Sequence, residues 1–304
     1  MSVNRRDFVR TSMLAGVAGA VTAAPAAAQP AAAPPAPAVF TPLRRNVGIF
    51  NQRGGTIGWL VSRDGLLVVD SQFADTAPNL LAGLKERSPR QIDVLINSHH
   101  HPDHTGGNGV LRPAAKQIVA HVRAAENLKV QSERAKTTAT MPDVTFPDTW
   151  SVKLGDETIR ARHWGPAHTG GDVSIHFEQA NVVHLGDLLN NRGFANVDGP
   201  AGASVHGWIQ VLEKMAAAYP ADALYVFGHA EAGHPFIGTR GDLHYQRDYF
   251  TAVIDYARQA RREGRSKDDL AKVEVLPKFE HHGGTKARIG IALTLAYDEL
   301  ATRG

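Results

Sequence analysis

The run Ser98-His99-His100-His101-Pro102-Asp103-His104-Thr105-Gly106-Gly107 places four potential metal ligands, His99, His101, Asp103 and His104, within six residues. It follows an apolar stretch, residues 92–96, that reads as a buried strand. Imidazole and carboxylate suit borderline divalent ions such as zinc, and a loop leaving a strand end can turn several of them toward one point. Four ligands exceed the needs of one open catalytic zinc, which takes three and keeps a position for water. The surplus points to two neighbouring ions, completed by residues further along the chain. A tag or an adventitious His-rich tract would lie at a terminus without regular interleaving. The H-x-H-x-D-H pattern instead sits mid-chain, followed by Asn108, a residue suited to begin a helix.

The N-terminus carries an address. Asn4-Arg5-Arg6-Asp7-Phe8-Val9-Arg10 is a twin-arginine pattern, followed by a Gly/Ala-rich apolar stretch and Ala26-Ala27-Ala28, a small-x-small cleavage sequence. Residues 1–28 are expected to be a Tat signal peptide, with export to the periplasm. The apolar run is too short to anchor the chain, so no stable membrane association is expected. Residues 29–40, almost all Ala and Pro, are expected to form a flexible segment, and residues 41–304 a single catalytic domain. The chain has no cysteine, which excludes both disulfides and thiolate ligands. Its net charge of +3 falls to +1 without residues 1–28. No basic patch with interleaved aromatics supports nucleic-acid binding, and the sequence says nothing of oligomeric state.

Strand-like runs fall at residues 47–50, 58–62, 66–70, 92–96, 117–120, 151–159, 173–177, 181–185 and 223–227. Helical patterns start at Thr76-Ala77-Pro78, and cover residues 205–219, about 242–263, and the C-terminus, with a further polar stretch helical from about Ala124. Strands then helices, repeated twice, predict an α/β fold with two sheets sandwiched between helices. Three more strand ends carry ligand types: His168 in Gly165-Pro166-Ala167-His168-Thr169-Gly170-Gly171-Asp172, Asp187 after Leu185-Gly186, and His229 after Phe227-Gly228. Each is weak evidence alone. With the cluster they make seven, enough for two ions sharing a carboxylate bridge and a water.

In this order, Asp70, the His99 to His104 cluster, His168, Asp187 and His229 resemble the five motifs of the metallo-β-lactamase-fold hydrolase superfamily. The resemblance runs from about Val47 to about Gly233. It implies an αββα sandwich with a dinuclear site at one edge, holding two zinc ions, with iron or manganese as other occupants. By that likeness His99, His101 and His168 bind the first ion, Asp103, His104 and His229 the second, and Asp187 bridges. Two adjacent cations would lower the pKa of a shared water, giving a hydroxide nucleophile that Asp103 orients. Asp70 is expected to orient a ligand rather than touch metal. Strand alternation turns His100 away from its neighbours. His184 reads as a satisfied sheet residue, His234 as a solvated loop residue, and His281-His282 as a helix lead-in.

The same scaffold serves several reactions, so the substrate must be argued separately. The layout around His168 and Tyr219 to His229 resembles subclass B1 β-lactamases, but Asp187 stands where those have cysteine. Asn190 stands where they have a lysine that binds the substrate carboxylate, leaving Arg192 or another cation for that task. The expectation is a metal-dependent hydrolase of cyclic amides or esters acting on a small molecule. A thioester or lactone hydrolase is the alternative within that class. An iron-dependent oxidoreductase of the same fold, with one metal, and a non-catalytic binding protein are the alternatives outside it; the full ligand set argues against the last.

Overall fold

The computed structural model describes residues 36–302. The signal peptide read over residues 1–28, and residues 29–35 of the Ala/Pro-rich segment, lie outside the described residues.

The first half of the chain forms β1 (Val39–Pro42), β2 (Val47–Asn51), β3 (Ile57–Val61), β4 (Leu66–Val69), α1 (Ala77–Arg87) and β5 (Val94–Asn97). Short helices α2 (Pro102–Thr105) and α3 (Asn108–Leu111) then lead to β6 (Ile118–His121), α4 (Val122–Ala135) and β7 (Val144–Phe146). These strands make one sheet in sequence order, antiparallel from β1 to β4 and parallel from β4 to β7. The second half supplies β8 (Thr149–Leu154), β9 (Glu157–Arg162), β10 (Ser174–Phe177), β11 (Val182–His184), β12 (Asn190–Asn191), α5 (Val205–Ala218), β13 (Leu224–Val226), β14 (His229–Ala230) and β15 (Ile237–Gly238). Helices α6 (Arg240–Arg262), α7 (Lys267–Ala271) and α8 (Ala287–Thr302) complete it. Its main sheet runs β15-β13-β11-β10-β9-β8, and β12 and β14 pair separately.

Burial on both faces explains the continuous apolar runs. In β4, Leu67 and Val69 point into the layer between the sheets, with Ile96, Ile159 and Ile175, while Leu66 and Val68 pack with Leu80 and Leu84 of α1. On the far side, Val183, Tyr225 and Phe227 meet Trp208 of α5, Phe250 of α6 and Leu293 of α8. The result is an αββα sandwich. Among the described residues no helix is long and apolar enough to cross a membrane.

Four details depart from the sequence reading. Strand β1 straddles the boundary placed at Thr41, because Val39 and Phe40 pair with Asn51 and Phe50. The Phe40 ring lies 4.8 Å from that of Phe50 and 4.0 Å from the Arg87 guanidinium, contacts that an Ala/Pro-rich neighbourhood conceals. The run 151–159 is a hairpin, since Leu154 pairs with Glu157 across Gly155-Asp156. Helix α6 starts at Arg240 because Asp242, taken as its first residue, is the fourth member of a capping box opened by Thr239. Asn108 opens α3 but does not cap it; its amide bonds Ser71 and Asn97 instead.

The topology gathers loops at one edge. Parallel β4 and β5 end together at Asp70 and Ser98, and parallel β11 and β13 end together just before Asp187 and His229. Thr56 N–H donates to the Gly228 carbonyl at 2.8 Å and Val173 N–H to that of Ser98 at 2.9 Å, joining the two sheets beside these loops. Gly48 faces Trp59 across β2 and β3, and a Cβ there would lie 2.1 Å from the indole ring. Replacing Gly48 by Val is expected to destabilise the fold by about 1–3 kcal/mol through overpacking, read by urea denaturation as a lower midpoint at unchanged m-value.

Candidate metal centre

Asp70 directly follows β4 with a positive φ of 68° and is fully buried. One carboxylate oxygen accepts from the Ser98 N–H at 2.7 Å; the other accepts from the Ser98 hydroxyl at 2.6 Å and from His104 Nδ1 at 2.8 Å. The Ser98 hydroxyl, having given its proton to Asp70, accepts from His99 Nδ1 at 3.0 Å. His168 Nδ1 donates to the Asn196 carbonyl at 2.7 Å, and His101 Nε2 to Asp198 at 2.9 Å. These outer partners decide the tautomers. In His99, His101 and His168 the outer nitrogen carries the proton, so the inner nitrogen presents a bare lone pair.

Those inner nitrogens converge. His99 Nε2 lies 3.2 Å from His101 Nδ1, which lies 2.9 Å from His168 Nε2. Three lone pairs at this separation cannot satisfy one another and call for a cation between them. His99, His101 and His168, with Asp187, form one group of mutually close ligand atoms, and Asp103, His104 and His229 a second. Asp187 reaches both: one oxygen stands 3.6 Å from His168 Nε2, the other 3.0 Å from His104 Nε2 and 3.3 Å from His229 Nε2. His229 Nε2 is 3.0 Å from Asp103. Although His104 Nε2 and Asp187 Oδ1 are close, their angles fail as a hydrogen bond, and both atoms are buried without a partner. Such orphaned polar atoms aimed at a common point fit a bound cation. The structure thus brings all seven sequence-named ligands together.

The two groups differ electrostatically. Burial drives His99 well below its ordinary pKa and His168 down to about 4, so both are neutral donors at pH 7. In the second group burial opposes charge too, but carboxylates outweigh it. Asp187, Asp70 and Asp103 hold His104 well above its ordinary value; Asp187 and Asp103 hold His229 up at about 9. Burial likewise works against the Asp187 charge, yet His229 and His104 keep its carboxyl well below the usual range.

The remaining histidines separate from the ligand set. His100 is turned away, with Nε2 3.8 Å from Asp198 and its pKa pushed by burial to about 3. It forms a third close group with His101 and Asp198, but those two are already bonded to each other. His184 is buried and approaches the Thr56 carbonyl at 3.0 Å through Nε2. His234 is exposed, and His281 and His282 contact the Tyr245 hydroxyl at 2.7 and 2.8 Å in a loop before α8.

Three supporting residues escaped the sequence reading. Asp198 sets the His101 tautomer. Asp172 accepts from the Thr169 N–H and hydroxyl at 2.7 and 2.6 Å, pinning the loop that carries His168. Gly228 lets the chain pass Asp187, since a Cβ there would fall 2.2 Å from its Oδ1. A carboxylate in a Gly-rich loop was the available signal for the first two; Gly-His for the third.

A cavity of about 260 Å³ opens over the ligands, lined by His101, Asp103, Asp187 and His229 below and Asn190, Asn196, Glu231 and Arg288 around them. Arg192, the cation named from sequence, is directed elsewhere. Its guanidinium lies 3.6 Å from the Tyr245 ring centroid and 3.8 Å from Asp242.

The family model for the metallo-beta-lactamase superfamily matches residues 51–229. Among curated relatives, the hydroxyacylglutathione hydrolase of Cereibacter sphaeroides is 28% identical over 78% of this chain and 91% of its own. The human mitochondrial persulfide dioxygenase ETHE1 is 26% identical over 55% of this chain and 61% of its own. Among solved structures, a metallo-beta-lactamase from Pontibacter korlensis superposes with a TM-score of 0.60 at 18% identity, over 71% of this chain and 99% of that one.

Because a metal must displace the protons that His104 and His229 carry at pH 7, loading is expected to release roughly two protons per chain. Calorimetric zinc titrations in buffers of different ionisation enthalpy measure this number. Apparent affinity should fall as pH drops below about 9, where His229 gains its proton. An affinity flat between pH 6 and 9 would show that these two histidines are not ligands.

Proposed function

The chain belongs to the metallo-beta-lactamase superfamily, and we propose that it is an exported hydrolase of acyl bonds that uses two zinc ions on a small-molecule substrate. Asp187 carries this reading. A buried carboxylate with one oxygen toward each donor group is what two cations sharing a ligand require. Imidazole and carboxylate donors without a thiolate suit zinc, and also iron or manganese, so metal content belongs to the test. When bound, zinc would supply Lewis-acid polarisation of the acyl oxygen and a water acidified toward neutrality.

The protein's own residues supply the rest. Asp103 lines the cavity with a carboxylate 3.0 Å from His229 Nε2, placed to orient the attacking water and accept its proton. Burial opposes its charge, but His104 and His229 hold its pKa below the ordinary value, so it is an acceptor at neutral pH. Asn190 donates to the Asp187 backbone carbonyl at 3.3 Å, steadying the residue between the two groups. Cyclic amides or esters are the first substrate class. Thioesters or lactones are the second, favoured by the breadth of similarity to an enzyme named for hydroxyacylglutathione.

Replacing Asp103 by Asn is expected to leave the fold intact and cut kcat about 10²- to 10⁴-fold. Circular dichroism and steady-state hydrolysis measure the two effects, and full retained activity would assign the proton elsewhere. The wild-type chain should carry two zinc ions and hydrolyse at least one of nitrocefin, acyl-homoserine lactones and thioesters in preference to phosphodiesters. One iron per chain and no zinc would replace this reading with the oxidoreductase one.

Export rests on the twin-arginine pattern at Arg5-Arg6. Fractionation of host cells should recover the chain in the periplasm, and replacement of both arginines by lysine should trap it inside.

A further inference from the structure

The cavity over the ligands has a cation that no part of the metal centre uses. Arg288 sits in the first turn of α8, half-buried, and lines the cavity beside Asn196 and Gly284. One guanidinium nitrogen donates to the Phe194 carbonyl at 3.0 Å, which fixes the side chain. Among the described residues Arg288 has no carboxylate within ion-pair distance; Glu231 lines the same cavity without pairing with it. A positive charge in the first turn of a helix also opposes the helix dipole, so this placement costs stability rather than adding to it.

The backbone holds Arg288 against the site from far along the sequence. Phe194 N–H donates to the Gly283 carbonyl and Gly283 N–H to that of Arg192, both at 3.0 Å. Glu231 packs on Gly283, where a Cβ would lie 2.1 Å from its carboxyl carbon. The segment that leads into α8 is thereby fastened to the loop that follows Asn190.

We propose that Arg288 is the specificity-determining cation of this site and that it binds a carboxylate carried by the acyl substrate. The proposal rests on the reading of the cavity as the site of acyl hydrolysis and names the substrate class it accepts. A planar guanidinium with one edge anchored to a backbone carbonyl keeps its other nitrogens for a charged acceptor, a geometry suited to carboxylate recognition. It takes the place for which the sequence offered Arg192, whose charge is stacked on Tyr245 instead.

Equilibrium binding separates recognition from turnover. The full chain, stripped of metal by chelation so that no hydrolysis occurs, is titrated with two probe pairs: nitrocefin and its methyl ester, and S-acetylmercaptoacetate and its methyl ester. The free acid of at least one pair should bind about 10- to 100-fold tighter than its ester. Arg288→Ala should erase that preference, and Arg288→Lys should restore part of it. Arg288→Gln, which retains a donor for Phe194, should behave like Arg288→Ala if charge is the cause. Equal binding of acid and ester in both pairs, undetectable binding of all four included, overturns the proposal, as does a preference that survives Arg288→Ala. Acid preference without turnover by the zinc-loaded chain would uphold Arg288 while overturning the hydrolase reading.

Discussion

The Asp70 carboxylate is the interaction on which both halves of the metal centre depend. Through Ser98 it fixes the outer nitrogen of His99, and directly it fixes that of His104. These two histidines belong to different donor groups, so one buried side chain sets the ring orientation on both sides of Asp187. Its bond from the Ser98 N–H also ties the end of β4 to the end of β5, where the ligand loop begins. A residue with a left-handed backbone at that point re-aims the chain from strand to loop, and aspartate tolerates this conformation better than a branched residue would.

From this anchor the electrostatics follow. Buried imidazoles and carboxylates crowded together are costly unless charges balance. In the second group the protein balances three carboxylates, Asp70, Asp103 and Asp187, with protons on His104 and His229. In the first group the outer partners are a hydroxyl, a carbonyl and an exposed-side carboxylate, burial keeps His99 and His168 neutral, and the inner nitrogens face one another. The same ligand set therefore poses two unequal problems, proton displacement on one side and lone-pair repulsion on the other. Cations held by the two donor groups would relieve both.

Much of this was legible in the sequence because strand ends are legible. A continuous apolar run ending in a polar residue marks the edge of a buried parallel strand, and that logic located Asp70, Asp187 and His229 as well as the cluster after residue 97. The supports of the site carried weaker signals. Asp198 and Asp172 lie in Gly- and Pro-containing loops where a carboxylate is ordinary, and only the folded path brings Asp198 to His101, 97 residues away. Strand β1 was obscured for a related reason: two apolar residues after an Ala/Pro tract have no period, and their partners Phe50 and Arg87 are distant in sequence.

Arg288 was illegible for the strongest version of that reason. Sequence reasoning looked for a substrate cation near Asn190 because the resemblance to subclass B1 β-lactamases places a lysine there, and it offered Arg192 or another cation; the fold turns Arg192 toward Tyr245 and Asp242. The ligand shell is built by the strand edges of the sandwich, which are shared by any chain that folds this way. The wall above it is built by what packs around the edge, here a loop pinned by Gly283 and the start of α8. With Arg288 in the proposed role, chemistry and selectivity are carried by different parts of the chain, under different constraints. On the proposed reading, changes at the start of the C-terminal helix can alter which compound is held without disturbing a donor atom, whereas a change at Asp70 reaches a ligand in each donor group. This separation gives a physical reason why one metal-binding scaffold accommodates many substrates.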